Sequence, residues 1–169
     1  MEIHIYTDGG CSGNPGPGGW AYMIIRDRNR HAAPVSPDSP ATSLASCPPE
    51  ILVERWGSAR ETTNNRMELN AAVQALEMLR KLNIAPKQVV LFTDSQYVQK
   101  GMTEWLTGWK RNGWRTSDKN PVKNQDLWQR LDKLADFFCI RWEWVRGHQG
   151  NVFNERCDKL AQKAIANLR

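Results

Sequence analysis

The sequence has 169 residues, of which 40% are hydrophobic and 24% are charged. These values are ordinary for a globular protein and predict a single domain, 1–169, whose core needs no disulfide or metal staple. The formal net charge of +5 favours a polyanionic partner. No apolar run approaches the length of a membrane span, and no secretion signal or disulfide framework is evident, so we expect a cytoplasmic protein with no membrane partner.

The first motif is an apolar, β-branched run at residues 3–7 that leads into Asp8 and then into a Gly/Asn/Pro cluster at 9–16. The run predicts a strand, and the cluster predicts its abrupt end. Asp8 is therefore expected at the carboxyl end of a strand, where open α/β sheets bind ligands. This motif alone also fits a simple turn capped by Asp8, because Asp-Gly is a common turn pair.

The following segment predicts a strand and then a long connection. Residues 20–25 have the pattern of a second strand, close enough in sequence to pair antiparallel with the first. Residues 29–50 are rich in Pro, Ser and Ala without periodicity, and they predict a long surface loop insertion. The strand pattern resumes at residues 51–53.

A helix is predicted to begin near residues 62–68, and it carries the second candidate acid. Glu68 falls on the same apolar stripe as Ala72 and Leu79, so its carboxylate is expected to face the sheet. The alternative is a capping box in which Glu68 pairs with an Asn65 cap. A carboxylate on the buried side needs a partner, which favours a functional role for Glu68.

Residues 88–93 form a continuous apolar run that ends at Asp94, the third candidate acid. Such a run predicts a strand covered on both faces. Asp94 has an alternative role as the N-cap of the next helix. The intervening helix predicts a crossover between parallel neighbours, so Asp8 and Asp94 should emerge side by side.

The segment 105–123, which we call the basic protrusion, combines cationic and large aromatic side chains. Such a combination favours contact with nucleic acid, although a charge run is also compatible with a merely solvated face. The side chains proposed for this contact are Trp105, Lys110, Arg111, Trp114 and Arg115. The tryptophans are expected to pack against the protrusion itself first.

The last part of the chain predicts a helix at 127–137, a strand at 138–145, a loop containing His148 and a final helix from Asn154. Asp158 shares a stripe with Ala161 and Ile165 on that final helix, so it is the fourth candidate acid and should face inward. A helix dipole favours an acid in the first turn but does not explain its inward direction.

Two strand-end acids and two inward-facing helix acids are thus expected to converge at one edge of the sheet. Four carboxylates would repel each other and need cations between them. Their oxygen ligands select Mg²⁺, with Mn²⁺ as a substitute. Two such ions about 4 Å apart stabilise the attacking and leaving oxygens of a phosphodiester displacement.

These motifs closely resemble those of bacterial-type ribonuclease H, type 1, in order over nearly the whole chain. The matching motifs are YTDGGC (6–11), NPGPGG (14–19), TNNRMEL (63–69), TDSQY (93–97), and GH (147–148) with NERCD (154–158). The resemblance implies an α/β ribonuclease H-like fold, with a five-stranded mixed sheet, helices on both faces and a basic protrusion. The insertion at 29–50 is longer than the family's usual hairpin connection.

The same resemblance implies an activity and assigns residues to it. The implied activity is hydrolysis of the RNA strand of RNA–DNA hybrids by a monomer, leaving 5′-phosphate and 3′-hydroxyl ends. The implied metal ligands are Asp8, Glu68, Asp94 and Asp158, and His148 would position water or assist product release. The implied substrate contacts are Gly9, Gly10, Cys11, Asn14, Asn64, Asn65, Gln96 and Asn154, with the basic protrusion gripping the DNA strand. Two alternatives are another nuclease of this fold and a non-catalytic module that binds hybrids.

Overall fold

A computed structural model describes residues 1–28, 48–147 and 150–168. The predicted insertion at 29–50 therefore lies outside the described residues except for its last three, and His148 lies outside them as well. The strands are β1 (Glu2–Cys11), β2 (Gly16–Asp27), β3 (Glu50–Thr62), β4 (Gln88–Thr93) and β5 (Ile140–Trp144). The helices are α1 (Asn64–Lys81), α2 (Gln96–Lys100), α3 (Leu106–Arg111), α4 (Gln125–Ala135) and α5 (Val152–Ala166), with a π-helical turn at Gly101–Trp105 between α2 and α3.

The five strands form one mixed sheet in the order β3-β2-β1-β4-β5. The first three strands are joined by antiparallel pairing, whereas β4 runs parallel to β1 and β5 runs parallel to β4. Helix α1 makes the crossover between the antiparallel part and β4, as the sequence predicts. Among the described residues, no helix combines the length and the apolar character that crossing a bilayer requires.

Both faces of the sheet are covered, and the alternation of side chains along the strands explains why. Ile3 and Ile5 of β1 point to the face on which α1 and α4 pack, where Trp128 is fully buried. Tyr6 points to the opposite face and packs with Cys157 and other residues of α5. The predicted helices on both faces are confirmed.

Strand β1 is longer than the sequence pattern suggests. It does not end at Asp8, because Gly9 pairs with Trp20 and Cys11 pairs with Gly18 of β2. The glycine-rich run is therefore strand at its start, and the connection to β2 begins only after Cys11. The expectation of a loop directly after Asp8 is wrong. The parallel pairing of β1 with β4 ends at Thr7, but the antiparallel pairing of β1 with β2 continues to Cys11.

The helix caps also differ from the simplest expectations for the acids. The Thr63 side chain, not Asn65, caps α1 by accepting from the Arg66 N–H. Ser95, not Asp94, caps α2 by accepting from the Val98 N–H. Helix α5 begins at Val152 after an Asn151 cap, two residues before the predicted start at Asn154. Helix capping therefore does not explain the carboxylates of Glu68 and Asp94.

Candidate active site

Asp8 and Asp94 leave adjacent parallel strands at the same level. The parallel pairing of β1 with β4 ends at the pair Thr7 and Thr93, and the next residue on each strand is an aspartate. Asp8 is buried, and Asp94 is half-buried. The register of the sheet thus places two carboxylates side by side at one edge.

Glu68 reaches this edge because α1 approaches the backbone of β1 at a glycine. A Cβ atom on Gly9 would lie 2.4 Å from the backbone nitrogen of Glu68 and 2.4 Å from the carbonyl carbon of Met67. The Gly9 N–H also donates a hydrogen bond to the Glu68 carboxylate. Only a residue without a side chain allows this approach, so Gly9 seats the first turn of α1 beside Asp8.

The three carboxylates form a compact cluster, and α5 adds the fourth. One carboxylate oxygen from each of Asp8, Glu68 and Asp94 lies within 4.8 Å of the others. The Asp158 side chain forms a hydrogen bond with that of Asp8. The Glu68 Oε2 atom is buried and has no hydrogen-bond partner among the described residues. The structure therefore brings together all four acids that the sequence analysis singled out.

The electrostatics of this cluster favour a bound cation. Burial, followed by the charges of Asp94 and Asp158, raises the pKa of Asp8 to about 9. Burial and the neighbouring charge of Asp8 raise the pKa of Glu68 well above its ordinary value. The value for Asp8 implies that this carboxyl group retains its proton at neutral pH unless positive charge replaces it. An all-oxygen set with an unpartnered buried oxygen fits the hard cations Mg²⁺ and Mn²⁺.

Most of the proposed RNA contacts lie around this cluster. Asn14 accepts a hydrogen bond from the Asn64 N–H at 3.3 Å, which ties the β1–β2 connection to the start of α1. Asn14 and Asn65 line an open cavity of about 420 Å³ together with Lys123. Gln96 is exposed in the first turn of α2, two residues after Asp94. Two of the proposed contacts, Asn14 and Asn65, therefore share one opening, and Gln96 lies next to the acids along the chain.

Two other groups of proposed contacts are less accessible. Gly9 is buried and its N–H is engaged by Glu68, while Gly10 and Cys11 are half-buried in β1. Asn154 is only 3% exposed, and its Oδ1 atom has no hydrogen-bond partner among the described residues. The Asn154 side chain therefore lies inside the protein rather than on the surface of the site.

The tryptophans of the basic protrusion pack on one another. The Trp109 ring contacts those of Trp105 and Trp114, with centroids 5.8 Å and 6.5 Å away, and meets Trp128 of the core at 5.2 Å. Trp105 stays 36% exposed, and Trp114 is half-buried. The expectation that these rings support the protrusion first agrees with this packing.

The cations of the protrusion point outward. Lys110 Nζ lies 3.2 Å from Asp132 Oδ2 of α4, and Arg115 Nη1 donates to the Lys119 carbonyl at 3.0 Å. All three cationic side chains proposed for binding, including Arg111, belong to exposed residues. The protrusion thus presents positive charge on an aromatic base that is anchored to the core.

One neighbour of the acids escaped the sequence analysis. The Trp144 indole Nε1–H at the end of β5 donates to the Asp94 backbone carbonyl at 3.0 Å. The strand pattern places Trp144 in β5, but only the register of β5 against β4 sets it opposite Thr93, next to Asp94.

Comparison with known proteins shows the family of this chain. The sequence profile of the RNase H family matches residues 1–166. The chain belongs to the ribonuclease H family. It is 48% identical over 166 residues to the ribonuclease H of Halorhodospira halophila, covering 98% of this chain and 94% of that protein. It is 49% identical over 168 residues to the ribonuclease H of Bradyrhizobium diazoefficiens, covering 99% of this chain and 92% of that protein.

Solved structures show the same fold. The crystal structure of LC9-RNase H1, described as a type 1 RNase H with the type 2 active-site motif, has a TM-score of 0.75 at 30% identity and covers 99% of this chain and 74% of that one. RNase H1 from Halobacterium salinarum has a TM-score of 0.63 at 28% identity and covers 99% of both chains. The predicted family, enzyme class and fold are confirmed.

Proposed function

We propose that this ribonuclease H hydrolyses the RNA strand of RNA–DNA hybrids with two divalent ions, leaving 5′-phosphate and 3′-hydroxyl ends. The observation that carries the proposal is the cluster of Asp8, Glu68 and Asp94, in which one carboxylate oxygen from each residue lies within 4.8 Å of the other two. Asp158 joins it through its hydrogen bond to Asp8. Mg²⁺ is the proposed physiological ion, with Mn²⁺ as a substitute.

In this proposal the four acids bind the ions, and the backbone around each acid fixes the position of its side chain. Divalent ions held by these acids would supply an activated water and would neutralise the departing 3′ oxygen. Asp8 and Asp94 are fixed by the strand register, and Glu68 is fixed by the Gly9 N–H. His148, which lies outside the described residues, is proposed to position water or assist product release.

The proposed contacts to the RNA strand are polar groups near the acids. Asn14, Asn65 and Gln96 are exposed, and they are proposed to contact successive riboses and phosphates of the RNA strand. Asn64, Asn154 and the backbone of residues 9–11 belong to the same proposal. The 2′-hydroxyl is the group that distinguishes RNA from DNA, so these polar groups should confer little base preference.

The other strand is assigned to the basic protrusion. Its outward cations are suited to phosphates, and its exposed Trp105 offers a ring for sugar or base contact. We also propose a single domain over 1–169 and a cytoplasmic monomer. The thiols of Cys11, Cys139 and Cys157 are free, as in proteins of a reducing compartment.

The decisive assay compares labelled RNA–DNA hybrid, single-stranded RNA and RNA duplex, each with Mg²⁺ or with EDTA. We expect incision of the RNA strand of the hybrid alone, and only with Mg²⁺. Duplexes containing one to five embedded ribonucleotides should be cut only when several are consecutive. Cleavage that survives EDTA would contradict the metal mechanism, and efficient incision at a single ribonucleotide would contradict the type 1 assignment.

A further inference from the structure

The residues on both sides of Asp94 are fixed by hydrogen bonds. The Thr93 carbonyl accepts from the Val145 N–H at 2.9 Å, which continues the pairing of β4 with β5. The Ser95 N–H donates to Thr93 Oγ1 at 3.0 Å, and the Ser95 hydroxyl caps α2. These contacts hold the neighbours of Asp94 but leave its own peptide carbonyl to another donor.

That donor is a side chain from the next strand. Trp144 Nε1 lies 3.0 Å from the Asp94 carbonyl oxygen, within normal hydrogen-bond distance. The Trp144 ring is 41% exposed, so burial of apolar surface accounts for only part of its placement. Its N–H is directed at the backbone of one proposed metal ligand.

The turn after β5 approaches the side chain of Asp94. A Cβ atom on Gly147 would lie 3.1 Å from Asp94 Oδ2 and 3.7 Å from its Cβ. The chain leaving Trp144 therefore passes directly over the Asp94 carboxylate. The end of β5 contacts Asp94 at its carbonyl through Trp144 and at its carboxylate through Gly147.

We propose that Trp144 is a positioning residue, which fixes the Asp94 peptide and so keeps its carboxylate directed at the metal ions. When ions bind, Asp8 and Asp94 are both ionised and repel each other, so Asp94, at the end of a strand, tends to rotate away from Asp8. A donor held by β5 opposes that rotation. This inference rests on the proposed function, since it takes Asp94 to be a metal ligand.

The test is Trp144→Phe, which keeps an aromatic ring but removes the N–H donor. The matched control is Trp142→Phe, the same change on the same face of β5, at a ring that packs against the main core. Two quantities are measured: Mn²⁺ affinity of the nucleic-acid-free protein by electron paramagnetic resonance, and kcat and KM over a Mg²⁺ series. Thermal unfolding reports whether each variant folds, and Trp144→Leu replaces the first variant if it does not.

For Trp144→Phe we expect the Kd for Mn²⁺ to rise about three- to tenfold, the range for one lost hydrogen bond. The kcat at low Mg²⁺ should fall by a similar factor and recover at high Mg²⁺, while KM for the hybrid changes by less than about twofold. Trp142→Phe should leave the Mn²⁺ affinity unchanged.

Two results would overturn the inference. One is a Mn²⁺ affinity equal in both tryptophan variants, and the other is a rise in KM alone, which would make Trp144 a substrate contact. Asp94→Asn separates this failure from that of the proposed function. An inactive Asp94→Asn beside an unaffected Trp144→Phe rejects only the role of Trp144, whereas a fully active Asp94→Asn rejects the metal site itself.

Discussion

The acidic edge of the sheet and the basic protrusion carry opposite charge in opposite environments. Asp8 and Glu68 are each only 6% exposed, and their raised pKa values indicate that burial and mutual repulsion disfavour their charged forms. The cationic residues of the protrusion are exposed, and the Lys110–Asp132 pair is of the kind that contributes little stability. The buried acids therefore lower the stability of the metal-free fold when they are ionised. The exposed cations change that stability very little.

This difference indicates separate functions for the two regions. A buried group of like charges is retained only if something else requires it, and bound cations supply that requirement. Exposed cations impose no such cost and serve affinity for a polyanion. Changes at the acidic edge should therefore alter turnover and stability, whereas changes in the protrusion should alter binding and its salt dependence.

The largest effect is expected from Asp8→Asn, which removes one ligand and preserves the shape of the side chain. Turnover should fall by more than about a thousandfold, beyond the range for losing a single electrostatic contact. Hybrid binding, measured by fluorescence anisotropy in EDTA, should remain because the protrusion is intact. Asp136→Asn is the control, since Asp136 is an exposed acid at the end of α4. Near-normal turnover of Asp8→Asn would remove Asp8 from the metal site.

A second prediction tests whether the acidic edge depends on the close approach of α1 to β1. Gly9→Ala places a methyl group against the Glu68 and Met67 backbone, so α1 must move and take Glu68 with it. A displacement of about 1 Å at a reacting group can cost about a hundredfold in rate. Gly108→Ala is the control because, beyond its two chain neighbours and its own helix backbone, no described atom lies within 4 Å of a Cβ atom there. Equal kcat values for the two variants would refute this account of Glu68.

A third prediction concerns the protrusion alone. Replacing Lys110, Arg111 and Arg115 with Gln should weaken hybrid binding and leave kcat at saturating hybrid nearly unchanged. The slope of log K against log salt should decrease by about one unit per lost phosphate contact. The control removes the same charge from three exposed lysines elsewhere, Lys81, Lys87 and Lys133. If both triple variants show the same salt slope, the protrusion acts only through net charge.

The two regions also differ in how far the sequence predicts them. Sequence patterns singled out all four acids, because the fold preserves the helical stripes and because the parallel pairing of β1 with β4 ends just before Asp8 and Asp94. The caps were less predictable because Thr63, Ser95 and Asn151 compete with nearby polar residues for the same backbone N–H groups. The contact of Trp144 with Asp94 depends on the register between two strands, about 50 residues apart, and no local pattern encodes it.

The smallest effect is expected in the stability of the metal-free protein, and its sign follows from the pKa of Asp8. The ordinary value is 3.8 and the value in the fold is about 9, so between these limits the native state holds a proton that the unfolded chain has released. The free energy of unfolding must then decrease as the pH rises through this range. Glu68, whose pKa is also raised by burial, contributes in the same direction.

Asp8→Asn removes the titrating group, so the metal-free variant should be more stable than the wild type at pH 8, by about 2–8 °C in Tm. The difference should vanish only at about pH 2, well below the ordinary pKa of 3.8, where Asp8 is protonated in both the native and the unfolded state. Saturating Mg²⁺ should reverse the order, because the ions stabilise the wild type and bind the variant weakly. Scanning calorimetry in EDTA and in Mg²⁺ at both pH values measures each term, with Asp136→Asn as the control. The opposite result is a metal-free variant that is less stable than the wild type at pH 8. It would mean that the acidic cluster stabilises the fold without ions, so that repulsion between its carboxylates does not lower the free energy of unfolding.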